Sequence, residues 1–182
     1  MKRQEKYNKC PYFYFYNYHI VIKINQLGLC FSATTTFLDA SYHVVEAPAI
    51  KTGDMIHTLS QNGSIVDTKV KLAIKQEGAF DFVNIRLRNI GTNITTDLTV
   101  TDDHEVMILG GGEGADAGKS QNTPAKQVIP GNKMTGIGIG KHNSVWKVER
   151  LVYMKMASKY VIQTEAGTAL ASQILTTTSC VH

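Results

Sequence analysis

The sequence has few cysteines, few prolines and a single tryptophan, and the cysteine pattern excludes two classes of protein. Its 182 residues include three cysteines and four prolines. Cys10, Cys30 and Cys180 are an odd number of cysteines at very wide spacing. This is neither a disulfide framework nor a zinc-binding pattern. At least one thiol is therefore left over, which is compatible with a reactive cysteine.

The excess of one sign of charge over the other is also small. The formal net charge is +4, and much of it lies in the first nine residues. The remainder is close to balanced, so the sequence offers no basic face for nucleic acid. No stretch is long and apolar enough to span a membrane, and the histidines lack metal-ligand spacing. We expect no nucleic-acid partner, no stable membrane insertion, no metal and no cofactor.

No long run shows the 3.6-residue period of an amphipathic helix. Short stretches rich in Thr, Val and Ile are instead separated by turn residues, such as Asn62-Gly63 and residues 89–93, which are typical of hairpins. The sequence therefore predicts an all-β domain that is highly curved and closed on itself. The predicted strands are 33–38, 44–45, 55–59, 65–74, 80–87, 97–109, 134–139, 145–156, 159–163 and 169–175.

Two segments look like equivalent turns, residues 51–54 and residues 129–132, and each precedes a strand. They indicate two related halves. The glycine-rich stretch 110–120 lies between them and ends in Gly-Lys-Ser. A phosphate-binding loop needs a glycine five places before Gly118, where this chain has Glu113. We interpret the stretch as a surface loop and exclude nucleotide binding.

The chemistry-bearing residues are a cysteine and a Thr-x-x-His motif. Cys30 follows Leu29 and opens a strand-like run, while Thr101 and His104 stand at the end of the alternating stretch 97–101. A thiol, an imidazole and a hydroxyl are what an N-to-S acyl shift needs: the thiolate attacks the carbonyl of Leu29, and the histidine moves protons. The alternative is that these are unrelated core residues, since cysteine is commonly a small core side chain.

Three segments in this order resemble one family, the Hint domains of hedgehog autoprocessing proteins and inteins. The first is 28–38 followed by 50–56, the second is 98–108 with its Thr-x-x-His motif, and the third is 160–168 with the Ser179-Cys180 end. Together the resemblance spans about 150 residues and is closer to the hedgehog-type branch. It implies a compact all-β horseshoe with two pseudo-twofold related halves.

The resemblance implies a role for each residue. Cys30 is the nucleophile, His104 the proton shuttle and Thr101 the hydrogen-bonding partner of the scissile amide. Cys180 is a second thiol of the site that either pairs with Cys30 or takes the thioester. Three acidic residues flank the histidine; we expect them to face solvent and to raise the pKa of His104. They are Asp102, Asp103 and Glu105.

The resemblance also implies the domain organisation. Residues 1–29 are an N-terminal segment, whether a cleaved leader, a targeting remnant, or a short N-extein, and residues 30–182 are the autoprocessing domain. The composition of residues 1–29 fits a poor signal peptide or a strand over 18–24. The N-terminal segment is the substrate, and the acceptor is water, a thiol or another small nucleophile, a sterol among the candidates. We expect a monomer, secreted or extracellular if it is of the hedgehog type.

The chain departs from both branches of the family. The terminal His-Asn of splicing inteins is missing, so splicing is not expected. The aspartate that activates the sterol acceptor aligns with Ile74 or Lys75, and Glu77 is the nearest acid. Two functions follow: a self-cleaving domain that acts once, by single-turnover autoproteolysis at Leu29–Cys30, or a catalytically silent Hint-like β-domain that serves as a binding or structural module.

Overall fold

A computed structural model of the chain describes residues 30–110 and 119–178. These residues form strands joined by tight turns and by three single-turn 3₁₀ helices, as the all-β prediction requires. The strands are β1 Cys30–Phe31, β2 Thr36–Leu38, β3 Val44–Glu46, β4 Met55–Leu59, β5 Ile65–Asn89, β6 Thr95–Thr101, β7 Glu105–Leu109, β8 Ser120–Pro124, β9 Lys133–Ile137, β10 Asn143–Thr164, β11 Thr168–Ala171 and β12 Ile174–Thr177, and the 3₁₀ helices are Ala47–Ala49, Ala125–Gln127 and Ile139–Lys141.

Two long antiparallel strands, β5 and β10, pair with each other through the centre of the sheet. Their pairing runs from Trp146 opposite Asn89 to Thr164 opposite Val70. The sequence predicts a break in each strand, between 65–74 and 80–87 in β5 and between 145–156 and 159–163 in β10. In the structure both strands are continuous, and a register shift between Met156 and Ser158 absorbs the extra residue of β5. Such irregularities bend a strand and increase its twist.

The two predicted halves are visible in the backbone hydrogen bonds. In each half a 3₁₀ turn is followed by a tight turn. The glycine and the last residue of one turn make the same hydrogen bonds as their counterparts in the other turn. Every such pair of counterparts is separated by the same number of residues along the chain. The glycine amides donate to the following long strand, and the Asx side chains accept from the first residue of the turn. These bonds are Gly53 N to Val70 O and Gly131 N to Val148 O, both 2.8 Å, and Lys51 N to Asp54 Oδ2 at 2.8 Å and Ile129 N to Asn132 Oδ1 at 2.9 Å.

The halves exchange strands, which closes the sheet. Strand β1 from the first half pairs with β10, whereas β12 from the second half pairs with β7 and β11 pairs with β2. The core lies between the halves and contains Phe31, Phe37 and the fully buried Trp146. Burying such an aromatic side chain contributes about 2–3 kcal/mol relative to leaving it exposed. None of the helices in the described ranges is long and apolar enough to cross a membrane.

Candidate active site

The opening cysteine lies on a short strand held between two others. Cys30 is opposite Val161 of β10, and Phe31 is opposite Val100 of β6. The amide of Ser32 donates to the carbonyl of Thr99 at 3.1 Å, which continues the same register. This antiparallel register places Cys30 opposite Thr101 at the end of β6, so these two residues of the predicted site are neighbours.

The third residue, His104, closes the turn that follows Thr101. Its amide donates to the carbonyl of Thr101 at 3.0 Å, and its own carbonyl accepts from the amide of Ala125 at 2.7 Å. The ring is completely buried, with its centroid 4.8 Å from that of Phe31. Its Nε2 lies 3.0 Å from Oγ1 of Thr176 on β12. The fold therefore brings Cys30, Thr101 and His104 together.

Burial controls the charge of His104. It lowers the pKa of the imidazole to about 3, and the backbone groups of Cys30 and Thr177 oppose this as smaller causes. The expectation that neighbouring acids raise this pKa is wrong, because the ring is buried while Asp103 is exposed. At neutral pH the imidazole is uncharged. The opposing contributions of Cys30 and Thr177 are backbone hydrogen bonds to the ring.

Burial also controls the thiol. The pKa of Cys30 is raised to about 11, first by burial and to a smaller extent by the charge of Asp103. Lys159 acts in the opposite direction, through its positive charge and a side-chain hydrogen bond to Cys30. In the structure as described, the thiol is therefore protonated at neutral pH and faces one cationic side chain that favours the thiolate.

Neither residue aligned with an acceptor-activating aspartate, Ile74 or Lys75, is a carboxylate. Ile74 is opposite Val161 on the β5–β10 pair and packs in the small cluster that contains Cys30. Lys75 is half exposed and forms an ion pair with Glu77, with 2.5 Å between Nζ and Oε1. Strand β5 therefore brings no carboxylate to Cys30 at this point.

Two residues of the expected site lie outside the described residues, Leu29 and Cys180. The described residues nearest to Cys180 in sequence are β12 and Thr178, which follows it. Thr176 contacts His104, and Thr178 Oγ1 lies 2.7 Å from Oγ1 of Thr164. Within residues 30–110 and 119–178, no cluster of three or more His, Cys, Asp or Glu side chains has the arrangement of a metal site.

Two contacts of the site are not indicated by the local sequence. Lys159 reaches Cys30 from β10, and Thr176 reaches His104 from β12. Thr176 stands in a run of three threonines, and Lys159 stands in a strand with no motif. Finding these contacts requires knowing that β1 pairs with β10 and that β12 pairs with β7.

No protein-family model and no curated protein matches the chain. Solved structures do resemble it. An intein from a hyperthermophile superposes with a TM-score of 0.66 at 14% identity, covering 81% of this chain and 98% of its own. A bacterial intein-like domain from Clostridium thermocellum superposes with a TM-score of 0.61 at 18% identity, covering 82% and 98%. A DnaB intein from Synechocystis superposes with a TM-score of 0.66 at 12% identity, covering 83% and 99%.

These likenesses agree with the predicted fold class but not with the predicted branch. All three are inteins or intein-like, so they give no support to a hedgehog-type assignment. At such low identity the likeness concerns the fold alone. The chain has the all-β Hint fold that inteins share.

Proposed function

We propose that the chain is a self-processing domain that acts once, by an N-to-S acyl shift at Leu29–Cys30. The observation that carries this proposal is the position of His104. Its ring is buried, is uncharged at neutral pH and hydrogen-bonds to the backbone of Cys30. A neutral imidazole in contact with the backbone of the nucleophilic residue is placed to transfer a proton there, as general acid–base catalysis requires.

The proposed step moves one acyl group and one proton. Sγ of Cys30 attacks the carbonyl carbon of Leu29, so that a C–S bond forms and the C–N bond to Cys30 breaks. The proton lost from the thiol is balanced by one that the leaving nitrogen gains through His104. If the hydroxyl of Thr176 donates to Nε2, the ring proton sits on Nδ1, the atom available for this transfer.

The buried position of Thr101 opposite Cys30 supports the proposal. It is 4% exposed and stands opposite Cys30 in the register of β1 and β6. Its hydroxyl is a donor and an acceptor, and we assign it the task of holding the scissile amide. Cys180 keeps its proposed place as a second thiol of the site that pairs with Cys30 or accepts the acyl group.

The acceptor we propose is water or a small thiol. Ile74 or Lys75 occupies the place from which a carboxylate would activate an alcohol such as a sterol; Ile74 packs against the Cys30 cluster, and Lys75 is a cation. This feature favours transfer of the acyl group to water or a thiol over sterol transfer.

Intact-mass analysis after expression tests the function. The native chain is reduced and incubated with and without a small thiol, beside Cys30→Ala and Cys10→Ala variants. We expect a thiol-enhanced fragment that begins at Cys30, present in the native chain and in Cys10→Ala and absent in Cys30→Ala. Removing an activated nucleophile should lower the rate by at least about a thousandfold.

A full-length mass for the native chain under every reducing condition contradicts this function. That outcome favours the silent binding or structural module, which the high pKa of the buried Cys30 thiol also suits. Circular dichroism of each variant distinguishes this result from a chain that has failed to fold.

A further inference from the structure

Lys159 stands on the same face of β10 as Val161, the residue opposite Cys30. The pairing of Cys30 with Val161 and of Phe31 with Tyr160 fixes the register here. Side chains two positions apart on a strand point to the same side, so Lys159 is a diagonal neighbour of Cys30. Diagonal neighbours are within reach of a long side chain, and Lys159 hydrogen-bonds to Cys30.

The lysine is also held by its surroundings. Its Nζ lies 4.6 Å from the centroid of the Phe80 ring, a distance at which an aromatic face attracts a cation. Lys159 is opposite Gln76 of β5, on the segment where both long strands remain paired. The Phe80 ring and the strand pairing therefore both favour a position of the Lys159 ammonium group close to the Cys30 thiol.

Within residues 30–110 and 119–178, two charged side chains act on the Cys30 thiol. Lys159 favours the thiolate, whereas Asp103 disfavours it. His104 packs on the other side, against Phe31, and is uncharged at neutral pH because it is buried. It therefore supplies no positive charge to a thiolate. Burial opposes ionisation of Cys30, and the lysine is the cationic group in contact that offsets it.

We propose that Lys159 is a further catalytic residue of the acyl shift, whose ammonium group stabilises the Cys30 thiolate as it attacks the Leu29 carbonyl. This inference rests on the proposed function. The balance of the step is unchanged: sulfur loses a proton and bonds to carbon, and the amide nitrogen leaves and gains a proton. The lysine keeps its protons throughout and acts through its charge and hydrogen bond.

The first arm of the test is the pH dependence of thiol-induced cleavage. Native chain, Lys159→Met, Lys159→Arg and Lys155→Met are compared in single-turnover assays followed by intact mass. Lys155 is a matched control, because it lies on the same strand, is exposed and pairs with Asp81. We expect Lys159→Met to be slower by about tenfold near pH 7.5 and to reach its full rate about one pH unit higher.

The charge-preserving variant separates catalysis from packing. Lys159→Arg should keep most of the native rate and pH profile, since guanidinium is also a cationic donor, and Lys155→Met should match the native chain. A Lys159→Met profile that coincides with the native one overturns the proposal. So does an equal loss in Lys159→Met and Lys159→Arg, because a role that charge cannot rescue is not stabilisation of a thiolate by charge.

The second arm reads the thiol without cleavage. In a His104→Ala background, the rate of Cys30 alkylation by iodoacetamide is followed against pH by peptide mass spectrometry, with and without Lys159→Met. We expect the alkylation profile to move up by about one pH unit when the lysine is removed. An unmoved profile overturns the thiolate contact. A shifted profile in a chain that never cleaves supports the contact and leaves the proposed function as the part that failed.

Discussion

His104 makes stability depend on pH. Burial lowers the pKa of its imidazole to about 3, whereas an unfolded histidine titrates near about 6.5. Below that value the unfolded chain takes up a proton that the folded chain does not. The stabilising contribution is therefore complete above about pH 6.5 and is lost progressively as the pH falls toward about 3.

The measurement is the free energy of unfolding by urea at pH 7 and pH 5. The native chain should lose about 2 kcal/mol more over this interval than His104→Gln, which has no proton to take up. His142→Gln, a change on an exposed ring, serves as the control and should follow the native chain. Equal losses in the native chain and His104→Gln would show that the ring is not kept neutral by burial.

At this scale the sequence identifies the residue types of the site but not all of their contacts. Cys30, Thr101 and His104 are found because their chemistry and their spacing are local properties. Lys159 and Thr176 are not, since each reaches the site across a strand pair whose register the sequence does not reveal. The burial that determines the pKa of His104 is also non-local, which is why the neighbouring acids are a misleading guide to it.

Among the elements, β9 depends on a glycine for close approach. A Cβ at Gly136 would lie 2.3 Å from the carbonyl oxygen of Gln173 and 2.9 Å from Nε1 of Trp146. The carbonyl belongs to the turn between β11 and β12, and Gly136 is itself opposite Ile174 of β12. Backbone cannot move aside as a flexible side chain can, so this position requires glycine.

Gly136→Ala should lower the free energy of unfolding by about 2 kcal/mol, as overpacking in a core commonly does. Urea unfolding can be followed through Trp146, the single tryptophan of the chain. Gly91→Ala is the matched control, since the nearest atom to its Cβ would be 3.6 Å away, an ordinary contact. A midpoint for Gly136→Ala equal to that of Gly91→Ala would mean that β9 and β12 separate at little cost.

The sequence predicts where strands occur better than it predicts how long they are. Strands are expected in most of the places where they occur, because β-branched and alternating residues favour a half-buried pleated surface. The joining of the two segments of β5 is not expected, since Lys75–Gly78 is polar and flexible when considered alone. It remains strand because β10 supplies partners along its whole length, for example Tyr160 opposite Lys75. Tertiary pairing here overrides local propensity.

The whole molecule is two similar halves that depend on each other. The repeated turns at Gly53 and Gly131 make the similarity visible in the sequence. The exchange of β1 and β12 between halves is not visible there, because it depends on long-range pairing. As a result the proposed site is shared: Cys30, Thr101 and His104 come from the first half, and Lys159 and Thr176 come from the second.

A chain divided between Gly114 and Ala115 should therefore work only when both parts are present. Each fragment alone leaves one long strand, β5 or β10, without its partner, and long unpaired edges are unstable and prone to aggregate. We expect neither fragment alone to show the native circular dichroism or to cleave. Their mixture should form a one-to-one complex by size-exclusion chromatography and recover thiol-induced cleavage.

The first fragment with Cys30→Ala is the control for this experiment. It should associate with the second fragment as well as the native fragment does, since β1 keeps its backbone pairing with β10, but it should not cleave. Cleavage by the first fragment alone, at the rate of the intact chain, would contradict the shared site and with it the proposed part of Lys159. Because association and cleavage are measured separately, a mixture that forms the complex without cleaving would locate the failure in the chemistry and leave the interlocked fold intact.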